Sequence, residues 1–222
     1  MPVAIRPYGQ HCALAKSLEL VGDRWTLLVV RELLDGPRRY NDLLAALAPI
    51  ATDMLAGRLR HLEQHGLVRR CRLDPPASGT VYELTDDGAA LEEVVHAFAR
   101  WGRHLLEQRR DGDTVQPAWL ARAVRAYLRP DRTGPAVTVR LVIPEGAVTL
   151  RIDRAGVTTL PDETGPDETG PDVTLTGDVD VLAAALDPRR VPALVESGRL
   201  RVDGSPAAAR RLAKWLLPPR QR

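Results

Sequence analysis

The spacing of leucines between residues 43 and 62 constrains this chain more than any other feature. Leu43, Leu44 and Leu47 recur at helical intervals, Ala48-Pro49 interrupts them, and Leu55, Leu59 and Leu62 resume the period before Gly66. An apolar residue every three or four positions sets one helix face against a core. The residue before a proline is driven out of the helical region, and glycine suits the position past a helix end. We therefore read two helices joined by a tight turn, Arg39 to Leu47 and Thr52 to His65. In such a pair the first helix holds the second so that its amino-terminal turn projects, and the major groove of DNA admits one helix.

The flanks extend this pattern. Leu14 to Leu20 is a short helix stopped by Gly22, and Asp23 offers an N-cap for a second helix in which Trp25, Leu28, Val29 and Leu33 form a broad apolar face. After the pair, Leu67 to Leu73 and Thr80 to Leu84 read as strands about the turn cluster Asp74-Pro75-Pro76-Ala77-Ser78-Gly79. Thr85 then caps a helix carrying Leu91, Val94, Val95, Phe98, Trp101 and Leu105 at helical spacing, up to about Arg109. The order is that of a mainly α winged helix-turn-helix domain over residues 1–110, with the hairpin as the wing.

Charge supports a nucleic-acid partner locally and not globally. The formal net charge is only +2, yet residues 58 to 72 hold Arg58, Arg60, Arg69, Arg70 and Arg72 against the single acid Glu63. That patch has the sign that phosphates require. On the second helix of the pair, Thr52, Asp53, Ala56, Gly57, Arg58 and Arg60 can point outward. Arg58 is the first candidate for a base or phosphate contact, because a guanidinium bonds bidentately to either. Thr52 and Asp53 either read base edges or cap the helix. Arg69, Arg70 and Arg72 flank the wing turn, and Arg38 and Arg39 can clamp a further phosphate.

A composition break at Asp111-Gly112-Asp113 marks a linker over 111–114, and a second, α+β domain follows over 115–222. Its strands alternate at Val137 to Ile143, Val148 to Ile152, Val157, Val173 to Leu175 and Leu200 to Val202. Helices are expected around 179–186, 191–197 and 206–217. Within it Pro161-Asp162-Glu163-Thr164-Gly165 repeats as Pro166-Asp167-Glu168-Thr169-Gly170, a density of proline, glycine and acids that reads as an exposed loop.

Other function classes find little footing. No apolar run approaches the roughly 20 residues that span a bilayer, and residues 1–10 lack a secretory core, so a cytoplasmic chain without membrane contact is expected. Two cysteines, Cys12 and Cys71, lack metal-ligand spacing. His61 and His65 lie four apart on one helix, but no further ligand completes a metal set. Without a nucleophile motif, a zinc-protease motif or a glycine-rich phosphate loop, neither catalysis nor a cofactor is expected.

The first half resembles the HxlR-type winged-helix regulators. The matching pieces are Cys12, Gly22-Asp23-Arg24-Trp25-Thr26-Leu27-Leu28, Arg31-Glu32-Leu33-Leu34, Gly36-Pro37-Arg38-Arg39-Tyr40, Met54-Leu55, Arg58-Leu59, Leu62-Glu63, Gly66-Leu67-Val68-Arg69-Arg70, Tyr82-Glu83-Leu84-Thr85 and Trp101-Gly102. The resemblance implies a sequence-specific transcription regulator, expected as a repressor. It would act as a homodimer, built from the first helix and the long helix after the wing, on a palindromic double-stranded DNA operator. It also implies possible thiol sensing of oxidants or electrophiles at Cys12, for which Lys16 is the nearby cation.

The second half, about 115–217, resembles the sterol carrier protein 2 family through Asp172-Val173-Thr174-Leu175-Thr176-Gly177-Asp178 and Gly198-Arg199-Leu200-Arg201-Val202-Asp203-Gly204. That resemblance implies a hydrophobic small-molecule effector site, with Leu141, Leu150, Val173, Leu175, Leu186, Leu194 and Trp215 as lining. The competing readings are a packed domain serving dimerisation or spacing, and a carrier or protein-interaction module whose DNA-binding half is vestigial.

Overall fold

The apolar periods take the form of helices in a computed structural model, which describes residues 7–73, 78–108, 110, 112–161 and 170–217. The wing tip at 74–77 and most of the duplicated Pro-Asp-Glu-Thr-Gly repeat lie outside the described residues. Two units are distinguished, Met1–Val95 and His96–Arg222. The division falls within a helix, upstream of the composition break at 111–114. Beyond the division, Arg100 Nη1 donates to the Ala126 carbonyl at 2.8 Å and Arg103 Nη2 to that of Ala184 at 3.5 Å, both bonds being made within the second unit.

In the first unit the helices are α1 (Ala13–Val21), α2 (Thr26–Leu33), α3 (Tyr40–Ala46), α4 (Thr52–Gln64), α5 (Asp86–Ala89) and α6 (Glu92–Gly102), the last crossing into the second unit. The strands are β1 (Arg38–Arg39), β2 (Val68–Arg72) and β3 (Thr80–Leu84), in the antiparallel order β1-β3-β2. Val29, Val30, Leu33, Leu43, Leu47, Leu55, Leu59 and Leu62 are fully or almost fully buried in one cluster, so the helix pair is locked as its leucine spacing predicts. Leu28, expected on the buried face of α2, is 38% exposed.

Three further local expectations change. Asp23 does not cap α2: the N-cap is Trp25, in the left-handed region at φ 80° with no side-chain cap bond, and the Thr26 amide bonds the Asp23 carbonyl at 3.1 Å. The helix expected from Thr85 to Arg109 is divided into α5, α6 and a 3-10 turn (Arg103–Gln108). Thr85 does cap the first piece, accepting from the Gly88 amide at 3.2 Å. Gly88 packs so closely on the chain before β2 that a Cβ would stand 1.9 Å from the Leu67 carbonyl oxygen. Arg38–Arg39, expected at the start of a helix, instead forms a short strand opposite Tyr82 and Val81.

The second unit holds a five-stranded sheet, order β6-β5-β4-β7-β8, from β4 (Val137–Ile143), β5 (Gly146–Ile152), β6 (Val157–Leu160), β7 (Val173–Thr176) and β8 (Arg201–Gly204). Among the described residues only the β4–β7 pairing of this sheet is parallel. The helices α7 (Pro117–Tyr127), α8 (Val179–Ala185), α9 (Val191–Glu196) and α10 (Pro206–Trp215) contribute Leu120, Val124, Leu182, Leu194, Leu212 and Trp215 to a core shared with Val137, Val139, Leu141, Leu150, Ile152 and Val173. Helix α7 is an addition to the sequence reading. Its signal was present in Pro117 at the first turn and in Leu120, Val124 and Tyr127 at helical spacing.

Candidate nucleic-acid interface

The first turn of α4 projects from the helix pair. Thr52, Asp53 and Met54 are exposed there, and Arg60 is exposed two turns on, while Leu55, Leu59 and Leu62 face the core. Neither Thr52 nor Asp53 caps the helix. The N-cap is Ala51 without a side-chain bond, and Asp53 Oδ1 accepts from the neighbouring Met54 amide at 2.8 Å. The start of α4 is instead tied to α3, where the Tyr40 hydroxyl donates to the Thr52 carbonyl at 2.7 Å. Met54, 40% exposed, was missed as an outward residue. Its place beside Leu55, about 100° off the leucine stripe, could have shown it.

Two of the expected contact arginines are turned inward. Arg58 is 8% exposed, and its Nη1 pairs with the Asp23 carboxylate. It therefore belongs to the packing of α4 against the turn between α1 and α2 and not to the outward face. Arg38 Nε donates to the Glu32 carbonyl at 3.0 Å and its Nη2 lies 3.8 Å from Glu32 Oε2. Glu32 is almost fully buried and also holds Arg31, at 3.0 Å. A carboxylate removed from water needs such partners, and the arginines supply them.

Arg39, Arg69, Arg70 and Arg72 remain at the surface. Strand alternation divides those of the hairpin. Arg70 and Arg72 share the face of Val68, opposite Tyr82 and Thr80, whereas Arg69 and Cys71 share the other face, opposite Glu83 and Val81. On that second face Arg69 Nε bonds Glu83 Oε1 at 2.6 Å and the Cys71 thiol donates to the same oxygen at 3.0 Å. The Cys71 hydrogen bond and then that of Arg69 hold the Glu83 carboxyl below the usual range, and the Glu83 bond pushes the Cys71 thiol up. Arg39 reaches toward the wing turn, where Gly79 adopts φ +110° and a Cβ would stand 2.6 Å from Arg39 Nη1.

Cys12 is exposed at the N-cap of α1, where its side chain makes no cap hydrogen bond, and the nearby Ala15 and Leu14 amides lower its thiol pKa. Lys16 is not the cause, because its ammonium bonds both Glu19 carboxylate oxygens at 3.1 and 3.0 Å. His61 and His65 are spent on backbone. His61 Nε2 donates to the Leu20 carbonyl at 2.9 Å, and His65 Nδ1 to the His61 carbonyl at 2.8 Å. Among the described residues no three His, Cys, Asp or Glu side chains are grouped as metal ligands, and no helix is long and apolar enough to cross a membrane.

In the second unit Leu141, Leu175 and Leu186 border a small apolar cavity with Leu120, Val124 and Leu212, whereas Leu150, Val173, Leu194 and Trp215 do not line it and are core residues. The cavity has a volume of about 30 Å³. Small-molecule sites are usually roughly 300–1,000 Å³, so this space suits about one water. The cavity that these three leucines border is therefore far below the size of a small-molecule site.

A three-helix core whose fourth helix projects its first turn, followed by a β-hairpin edged with arginines, is a winged helix-turn-helix. Residues 20–110 match the family model described as HxlR-like helix-turn-helix. The chain is 35% identical over 99 residues to the HTH-type transcriptional regulator YodB of Bacillus subtilis, covering 45% of this chain and 86% of that protein. It is 36% identical over 100 residues to an uncharacterized HTH-type regulator of Synechocystis, sll1512, covering 45% and 74%. The chain belongs to the HxlR-like helix-turn-helix family. A solved structure of reduced YodB from B. subtilis is 32% identical, with a TM-score of 0.39 over 46% of this chain and all of that one.

Proposed function

We propose that this chain is a sequence-specific DNA-binding transcription regulator, a repressor that acts as a homodimer on a palindromic operator. The observation that carries the reading is the exposed first turn of α4, with Thr52, Asp53 and Met54, set in the same unit as a hairpin bearing Arg69, Arg70 and Arg72. Helix and wing then divide the work: the helix meets base edges and the wing arginines meet phosphates. A dimer is supported by exposed apolar side chains. Helix α1 leaves Leu14 67% exposed, and Val94, Phe98, Trp101 and Leu105 form an exposed stripe along α6 and the turn after it.

For the trigger, the exposed, acidified Cys12 thiol supports redox or electrophile sensing better than the small cavity supports a hydrophobic effector. We retain a sterol-carrier-like reading for the fold of the second unit only, as a packed accessory domain.

The test is titration of the purified chain against duplexes from a random-sequence pool, and against scrambled duplexes, at several salt concentrations. The expected result is a discrete complex of two chains on enriched duplexes, weakening steeply with salt. Arg70→Ala and Arg72→Ala should each weaken enriched and scrambled duplexes alike and lower the salt slope by about one. Failure to enrich any duplex would overturn the reading.

A further inference from the structure

We infer that Asp23 and Arg58 form a positioning pair that fixes the recognition helix α4 to the turn between α1 and α2, and thereby sets how Thr52, Asp53 and Arg60 are presented. The inference rests on the DNA-binding reading above.

Of the five arginines between residues 58 and 72, Arg58 alone is buried. Its partner lies 35 residues away in sequence, so the bond joins two elements and does not merely decorate one. Asp23 is free to make it because the capping of α2 is left to backbone: the Thr26 amide uses the Asp23 carbonyl, not its carboxylate. The turn that carries Asp23 has a defined shape, with Trp25 at φ 80° and the Arg24 guanidinium 5.4 Å from the Trp25 ring centre.

A second tie runs beside the first. His61, one turn beyond Arg58 on α4, is 3% exposed and bonds the Leu20 carbonyl in the last turn of α1. With the Tyr40 hydroxyl on the Thr52 carbonyl, α4 is held by directed polar bonds at its start and along its middle. Leucines alone tolerate small slides and rotations of a helix, whereas base contacts need side chains placed to within about 0.5 Å. Directed bonds supply that restriction.

The two roles open to Arg58 predict opposite signs at Asp23. Asp23 is an exposed acid, its side chain 56% accessible, so by charge alone its removal lowers repulsion with phosphates and tightens binding. A positioning pair predicts that its removal weakens binding. The full-length chain would be measured as the unmodified form, Asp23→Asn, Arg58→Gln, the double variant and Arg60→Gln. The probes are a duplex enriched from a random pool by the unmodified chain and its scrambled counterpart, over a salt series, with urea unfolding as a fold control.

The expected result is a tenfold or greater loss on the enriched duplex for each of Asp23→Asn and Arg58→Gln, with little change on the scrambled one. The double variant should be no worse than the worse single, and Arg58→Lys should recover part of the loss. The salt slope should be unchanged for these variants and lowered by about one for Arg60→Gln. Asp23→Asn binding as tightly as the unmodified chain, or tighter, would overturn the inference. So would a loss of about one from the salt slope in Arg58→Gln, which marks a phosphate contact. If Arg58→Gln fails to fold, the sign at Asp23→Asn still decides. An unmodified chain that enriches no duplex removes the DNA-binding reading itself, a failure distinct from one confined to the variants.

Discussion

Cys12 and Cys71 carry the same thiol in opposite surroundings. The Ala15 and Leu14 amides at the start of α1 favour the Cys12 thiolate, whereas the Glu83 carboxylate beside Cys71 disfavours a second negative charge. Alkylation with limiting iodoacetamide near neutral pH should therefore label Cys12 well before Cys71, as read by peptide mass spectrometry. Equal labelling would contradict these environments. Which arginines face outward was legible only in part at this scale. Arg60, Arg70 and Arg72 are at the surface as expected, but Arg38 and Arg58 are drawn inward by Glu32 and Asp23. A sequence displays each charge without showing which acid the fold brings beside it, and Asp23 looked like a helix cap.

The β2–β3 hairpin depends on a titrating group. Glu83 has a depressed folded pKa, so the stability it gives the hairpin through Cys71 and Arg69 is present above the unfolded carboxylate pKa and is lost as pH falls through the lower folded value. Glu83→Gln should be less stable than the unmodified chain at neutral pH, and the gap should close as the solution is acidified below the usual carboxylate range. Urea unfolding at both pH values measures it, and a gap independent of pH would show that Glu83 acts through packing alone. Helices α1 to α4 and the hairpin were legible because their apolar periods are long and their turns carry glycine and proline. Strand β1 was not, since two residues have no period and are a strand only because Tyr82 and Val81 lie opposite.

Each unit has its own core, and each should respond to its own cavities. Leu150 is fully buried in the central region of the second sheet. Leu150→Ala should lower the stability of that unit by about 2–5 kcal/mol. The unfolding of the first unit should shift little, with segment-resolved hydrogen exchange separating the two. A single shared transition moved as a whole would show that the units unfold together. The strands and late helices of the second unit were legible from alternation, whereas the point of division was not. Composition marks residues 111–114, but the division falls in α6, and beyond it Arg100 and Arg103 bond carbonyls of the second unit.

The parallel seam between β4 and β7 has a consequence for the chain as it is made. Strands β4 and β5 are neighbours in sequence and can pair as soon as both have left the ribosome, but Val139 waits for Val173 and Leu141 for Leu175. Through that interval the nascent second unit presents the bare edge of β4, a template for wrong pairing, while the elements up to Val95 are already complete. Slowing translation between the codons for β5 and β7 should therefore promote aggregation of the second unit and spare the first.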